Sequence, residues 1–126
     1  MLRPVTTPNA PAPIGPYSQA VWAGPNLFIS GMIALTPDGE FRNESLESEV
    51  RTALTNLMAV LESQGMTAAN LAKCSLFLRD MADFAAVNAI YTEFMGEAKP
   101  ARETVAVLGL PKDARFEISA VAYLPL

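Results

Sequence analysis

Histidine is absent from this 126-residue sequence, and cysteine occurs once, at Cys74. Without histidine there is no Ser-His-Asp or Cys-His nucleophile, and a conventional zinc site is excluded as well. A lone thiol forms no internal disulfide, so a reducing cytoplasm is the natural setting. Positive charge is also scarce. Nine Lys and Arg face thirteen Asp and Glu, and a net charge of −4 argues against a protein that grips nucleic acid through its phosphates. No apolar run approaches the roughly 20 residues that cross a bilayer. Met1-Leu2-Arg3-Pro4-Val5 lacks the apolar centre of a signal peptide. Gly24, Gly31 and Gly39 are scattered, so no glycine-rich phosphate loop is present. Any catalysis runs on Arg, Glu, Tyr, Ser, Thr and backbone groups, with no metal and no cofactor expected.

What is present is apolar. The chain is 51% hydrophobic and 17% charged, a balance that excludes disorder and fits one domain over residues 1–126. Five of the ten prolines fall in the first sixteen residues, which read as an extended, irregular lead-in. Ser18 to Ala23 and Leu27 to Ile33 flank Gly24-Pro25-Asn26 and predict an antiparallel hairpin. From Leu46 the period turns helical: Val50, Ala53, Leu54, Leu57 and Leu61 form a stripe, with Glu47, Glu49 and Arg51 off it. Asn43 or Ser45 is placed to cap this helix and Gly65 to end it. A strand over 72–79 follows, then a helix over about 83–95 with Phe84, Val87, Tyr91 and Phe94 as its stripe. Strands over 102–108 and 115–124 close the chain. The order is ββαβαββ, an α+β sheet with two helices on one face.

That layout leaves a face unaccounted for. In the last strand Phe116, Ile118, Ala120 and Ala122 alternate with Glu117, Ser119, Val121 and Tyr123. Ile29 and Ile33 likewise oppose Phe28 and Met32 in the hairpin. Both sheet faces carry apolar groups, yet two helices cover only one, so a homo-oligomer is expected to bury the other.

Two charges stand inside these apolar strands, where a charge is costly unless something answers it: Arg102 and Glu117. An arginine there offers a rigid fork for a planar carboxylate or phosphate, and a glutamate there is suited to hold or activate water. A buried Arg-Glu ion pair without function explains the spacing equally well. Thr104 shares a strand face with Arg102, while Glu103 alternates away. Ser30-Gly31 interrupts a bulky strand, as a β-bulge or as a place where a ligand or another backbone comes close. Tyr17 is either an anchor or the rim of a pocket. Asn88, on the helix face of Phe84 and Tyr91, needs a partner, and a loop backbone is the expected one. Cys74 reads as a small hydrophobe.

These pieces share one more property. Ile14-Gly15-Pro16-Tyr17-Ser18-Gln19-Ala20, Ile29-Ser30-Gly31, Asp83-Phe84-Ala85-Ala86-Val87-Asn88 with Tyr91, Pro100-Ala101-Arg102, Leu110-Pro111-Lys112 and Phe116-Glu117-Ile118 together resemble the RidA (YjgF) family. The resemblance runs in order over almost the whole chain. It implies a chorismate-mutase-like α+β fold, a homotrimer with pockets between subunits, and deamination of 2-imino acids released by pyridoxal-phosphate dehydratases. By matched position, Arg102 would hold the substrate carboxylate and Glu117 would position or activate water. Tyr17, Ser30, Gly31 and Asn88 fall at the family's pocket positions, and Thr104 where a backbone group often meets the ligand. Met32, Glu103 and Ser119 depart from the family's usual glutamine, small residue and glutamate, and bear on substrate preference. A non-catalytic module that senses a small 2-oxo acid through Arg102 is the alternative. RNA cleavage, attached to some relatives, fits poorly with the acidic balance and the missing histidine.

Overall fold

A computed structural model describes residues 1–125. Its core is a six-stranded sheet made of β1 (Arg3–Val5), β2 (Ala20–Ala23), β3 (Asn26–Met32), β4 (Leu71–Leu78), β5 (Ala101–Ala106) and β6 (Phe116–Tyr123). Two helices, α1 (Leu46–Ser63) and α2 (Phe84–Met95), pack on one face. The strand order is β1-β2-β3-β6-β4-β5, antiparallel throughout except for the parallel β4–β5 pair that α2 bridges. Among the described residues no helix is long and apolar enough to cross a membrane.

Local chemistry sets the element ends. Ala23 faces Asn26 across a two-residue turn, and Gly24 takes the positive φ of +59° that such a turn requires at its first position. Ser45, rather than Asn43, caps α1 by accepting from the Ser48 amide at 3.0 Å. Gly65 follows the helix at φ +72°. Asp80 accepts from the Ala82 amide at the start of a 3₁₀ turn that leads into α2, and Gly96 ends it.

The alternation expected of the strands holds on the helix-facing side: Cys74, Leu76 and Leu78 of β4 and Phe116, Ile118 and Ala122 of β6 are buried beneath α1 and α2. The opposite face is open, with Phe28, Val105 and Tyr123 each more than 40% exposed.

Four details depart from the pattern in the sequence. The proline-rich lead-in contains a strand: Arg3, Pro4 and Val5 pair with Trp22, Val21 and Ala20. An edge strand donates from one side only and so tolerates Pro4. Val5 reaches the core, and the Arg3 guanidinium lies 5.6 Å from the Trp22 ring. Second, the β3–β6 register shifts between Ile29 and Met32, so Ser30-Gly31 is a bulge. The extra residue turns Met32 onto the buried side with Ile29, not opposite it. Third, Glu49 is not on the solvated side of α1. It is buried at 1% exposure and accepts from the Arg115 amide at 2.6 Å and Arg115 Nε at 2.8 Å, which ties α1 to the start of β6. Fourth, Ile90 and Met95 join Val87 and Tyr91 in the buried stripe of α2, while Phe84 remains 37% exposed.

Candidate active site

The alternation of β5 and β6 decides where the two strand charges point. Arg102 pairs in register with Cys74, which pairs with Ala120, so Arg102 leaves the sheet on the helix side. Glu117 pairs with Phe77 and leaves on the open side. The two residues therefore sit on opposite faces of one subunit. Neither the functionless ion pair nor a single pocket holding both exists within one copy.

Arg102 projects from the sheet's edge strand against α2. Its Nη1 donates to Asn88 Oδ1 at 2.7 Å, and its Cζ lies 4.9 Å from the centre of the Tyr91 ring and 5.7 Å from that of Phe84. Asn88 thus braces a side chain rather than the loop backbone expected from the sequence. Residues 84, 88 and 91 recur at helical spacing and line up along the guanidinium. Two aromatic faces and one carbonyl fix the plane of the fork, and among the described residues no other hydrogen bond engages the guanidinium. A cleft opens beside it, lined by Asn88, Tyr91, Met95, Lys99, Pro100 and Arg102. Beneath, the Tyr91 hydroxyl lies beside the buried Cys74 thiol, and burial pushes both groups up from their ordinary pKa. Cys74 is the small core residue its surroundings in the sequence suggest. Thr104 points to the same side, and its buried hydroxyl has no partner among the described residues. Glu103 turns to the open face, where it takes a hydrogen bond from Ser75 and pairs with Lys73 at 3.2 Å. It leaves Arg102 unquenched.

Glu117 lies in a different recess, lined by Ile14, Tyr17, Ser30, Gly31 and Pro111, with Met32, Ile33 and Leu35 deeper in. No hydrogen bond or ion pair reaches its carboxylate among the described residues, and desolvation pushes its pKa up. Tyr17 stands half exposed among the residues lining this recess, and its hydroxyl accepts from the Ile14 amide at 3.3 Å. The Ser30 hydroxyl donates to Ser18 O at 2.6 Å, which fixes the bulge and leaves only its lone pairs toward a ligand.

Ser30-Gly31 is the bulge, and what comes close to Gly31 is a side chain rather than a ligand or another backbone. A Cβ at this position would stand 2.4 Å from Glu117 Oε2 and 2.8 Å from its Cδ. The atom in the way ends a flexible side chain, so Gly31→Ala displaces the carboxylate at little cost to the fold. The expected result is a melting temperature close to wild type, with any turnover that uses the Glu117 carboxylate lowered roughly 10²-fold, since a 1 Å misplacement of a reacting group costs about that much. Thermal melts run beside the activity assay check both halves.

The sequence pattern singles out Arg102, Asn88, Glu117, Tyr17, Ser30, Gly31 and Thr104 as candidates, and the structure groups them as Arg102, Asn88 and Thr104 on one face and Glu117, Tyr17, Ser30 and Gly31 on the other. It does not identify the roles of Phe84 and Tyr91, because aromatics at helical spacing look like core. Nor does it reveal the wall that Ile14, Pro111 and Leu35 build, which comes from segments distant along the chain.

The Endoribonuclease L-PSP family model matches residues 7–124. A RutC family protein of Pyrococcus horikoshii is 46% identical over 124 residues, which is 98% of each chain. The 2-iminobutanoate/2-iminopropanoate deaminase of Salmonella typhimurium is 39% identical over 125 residues, covering 97% of this chain and 98% of the relative. The crystal structure of the YjgF gene product of E. coli superposes with a TM-score of 0.90 at 39% identity, over 96% of this chain and 98% of the other. The chain belongs to the RidA (YjgF) family.

Proposed function

We propose that the protein hydrolyses 2-imino acids to 2-oxo acids and ammonia, at sites where Arg102 of one copy meets Glu117 of the next in a homotrimer. The observation that carries this reading is the separation of two half-sites. A guanidinium is held with free donors at the edge of the sheet, and a partnerless carboxyl sits in an apolar recess on the opposite face. Each lacks what the other supplies. The open apolar face is the surface on which copies would meet, with Phe28, Val105 and Tyr123 waiting for cover. Relatives named as imine deaminases favour this chemistry over phosphodiester cleavage, as do the net charge of −4 and the missing histidine.

In the proposed reaction Arg102 binds the substrate carboxylate through two parallel hydrogen bonds. This places the imine carbon beside a water held by Glu117, with Tyr17 and Asn88 fixing the rim and the fork. The water oxygen bonds to carbon while Glu117 accepts the water's proton, and the C=N π pair moves to nitrogen. The nitrogen takes that proton back from Glu117, giving the neutral carbinolamine. Glu117 then accepts the hydroxyl proton and passes it to nitrogen, and the C–N bond breaks with its electron pair leaving on ammonia as the C=O bond of the 2-oxo group forms. A carboxyl with a raised pKa carries the proton in both directions near neutrality better than an ordinary one. Thr104, with its hydroxyl turned inward, takes part through its backbone. The 2-imino acid decays rapidly in water, so positioning and one acid/base group suffice.

The test couples the protein to threonine dehydratase and traps free imine with semicarbazide. Wild type is expected to suppress the trapped adduct and Arg102→Ala to leave it unchanged. Equal adduct with and without wild type refutes imine hydrolysis.

A further inference from the structure

The segment between β1 and β2 is fourteen residues long, from Thr6 to Gln19, with no regular secondary structure. It forms one wall of the Glu117 recess, contributing Pro11, Ala12, Ile14 and Tyr17. Loops of this length with closed ends owe their shape to internal pins, and here the pin is one side chain.

Gln19 is buried at 3% exposure, a large cost for a primary amide unless it is fully bonded. Its Oε1 accepts from the Thr7 amide at 2.7 Å. Its Nε2 is shared among three carbonyls, those of Thr7 at 3.1 Å, Ala10 at 3.2 Å and Pro11 at 3.0 Å. The main chain of the same residue works on the other wall: Gln19 O accepts from the Ser30 amide at 3.0 Å, next to the Gly31 that touches Glu117. Prolines at 8, 11, 13 and 16 remove amides from the loop, so its remaining polar groups have few alternatives to this anchor.

We infer that Gln19 is a positioning residue of the Glu117 site, a single pin that holds the Thr7–Pro11 backbone on one side and the Ser30-Gly31 bulge on the other. Through it Ile14 and Tyr17 are kept over the carboxyl. The inference deepens the imine-hydrolase reading and rests on it for the identity of the reaction, though not for the geometry. Among the described residues that line the recess Tyr17 is the only other titratable side chain, and no Lys, Arg or Asp lines it from the loop, β3, the turn at Pro111 or β6. Bulk solvent, beyond the one reacting water, is therefore what the loop keeps from Glu117.

The experiment compares wild type with Gln19→Met, which keeps the length of the side chain and removes all four hydrogen bonds. The titration of Glu117 is followed by NMR on protein labelled with 13C-glutamate, beside kcat and KM for 2-iminopropanoate hydrolysis. The expected result is a folded variant whose Glu117 titrates at lower pH, nearer an ordinary glutamate, with kcat lowered roughly 10²-fold. An unchanged Glu117 titration with unchanged kcat and KM in a folded variant overturns the inference. Should Gln19→Met fail to fold, Gln19→Asn, one methylene shorter, is measured in the same way. A Glu117 titration and kcat equal to those of wild type overturn the pinning role, and a lowered titration with lowered kcat supports it. If wild type hydrolyses no imine, the imine-hydrolase reading fails while the titration still decides whether Gln19 shields Glu117.

Discussion

Glu117→Gln is expected to lower imine hydrolysis by about 10²–10⁴-fold, the usual worth of one acid/base group, and, in an Arg102→Ala background that removes the neighbouring copy's guanidinium, to raise the melting temperature at neutral pH. The two effects have one cause. The carboxyl is desolvated in the recess and has no cationic or hydrogen-bonding partner among the described residues, so burial favours its protonated form. Between the ordinary carboxylate range and the raised folded value, the folded protein binds more protons than the unfolded chain. Stability is therefore lost as pH rises through that window. Glutamine has the same shape and no charge to desolvate, so its stability does not fall there. In that background the melting temperatures with and without Glu117→Gln should coincide near pH 4, separate as pH rises, and hold a constant difference once Glu117 is fully ionised. Wild-type activity should show an acid limb above the pH at which a solvated glutamate titrates. Retained binding of a 2-oxo acid by Glu117→Gln alone, with turnover lost, separates an enzyme from a sensing module, since only turnover uses the carboxyl. In the Arg102→Ala background, lower stability with Glu117→Gln than without it at pH 7 contradicts the desolvation account.

The second large effect is complementation. Arg102→Ala and Glu117→Gln are each expected to be inactive alone. Mixed one to one, unfolded and refolded together, they should recover activity. In a randomly mixed ring of three, a site is intact only when its Arg102 comes from one variant and its Glu117 from the other, which occurs at about a quarter of the sites. Recovery to about that fraction of wild type, with nothing recovered when the folded variants are mixed without unfolding, is the expected pattern. It follows from the strand register: Arg102 pairs with Cys74 and Glu117 with Phe77, residues that β4 sends to opposite faces. A site built within one subunit predicts no recovery under any protocol.

Both expectations concern charges placed by alternation, and alternation is legible in a sequence. The periods of β4, β6 and α1, the turn at Gly24, the end of α1 at Gly65 and the separation of Glu103 from Arg102 all follow from local rules acting over a few residues. So does the surplus apolar face. Those same rules contain the division of Arg102 from Glu117, but only once β6 is known to lie beside β4, and no local pattern specifies which strands are neighbours.

The partners of buried polar groups were not legible. Glu49 lies among charged positions on α1, yet it meets Arg115, sixty-six residues away, and is buried. Asn88 looks like a brace for a loop and instead holds Arg102, fourteen residues on. Ser30-Gly31 reads as a bulge from its residues alone, but its contact with Glu117 depends on β3 pairing with β6 across most of the chain. The elements, their amphipathic faces and the short list of groups able to do chemistry follow from the order of residues, because propensity, period and the chemistry of each side chain are local properties. Which of those groups are desolvated, which are held and which face away from one another follows from the packed fold, because burial and hydrogen bonding belong to pairs of segments brought together by the sheet.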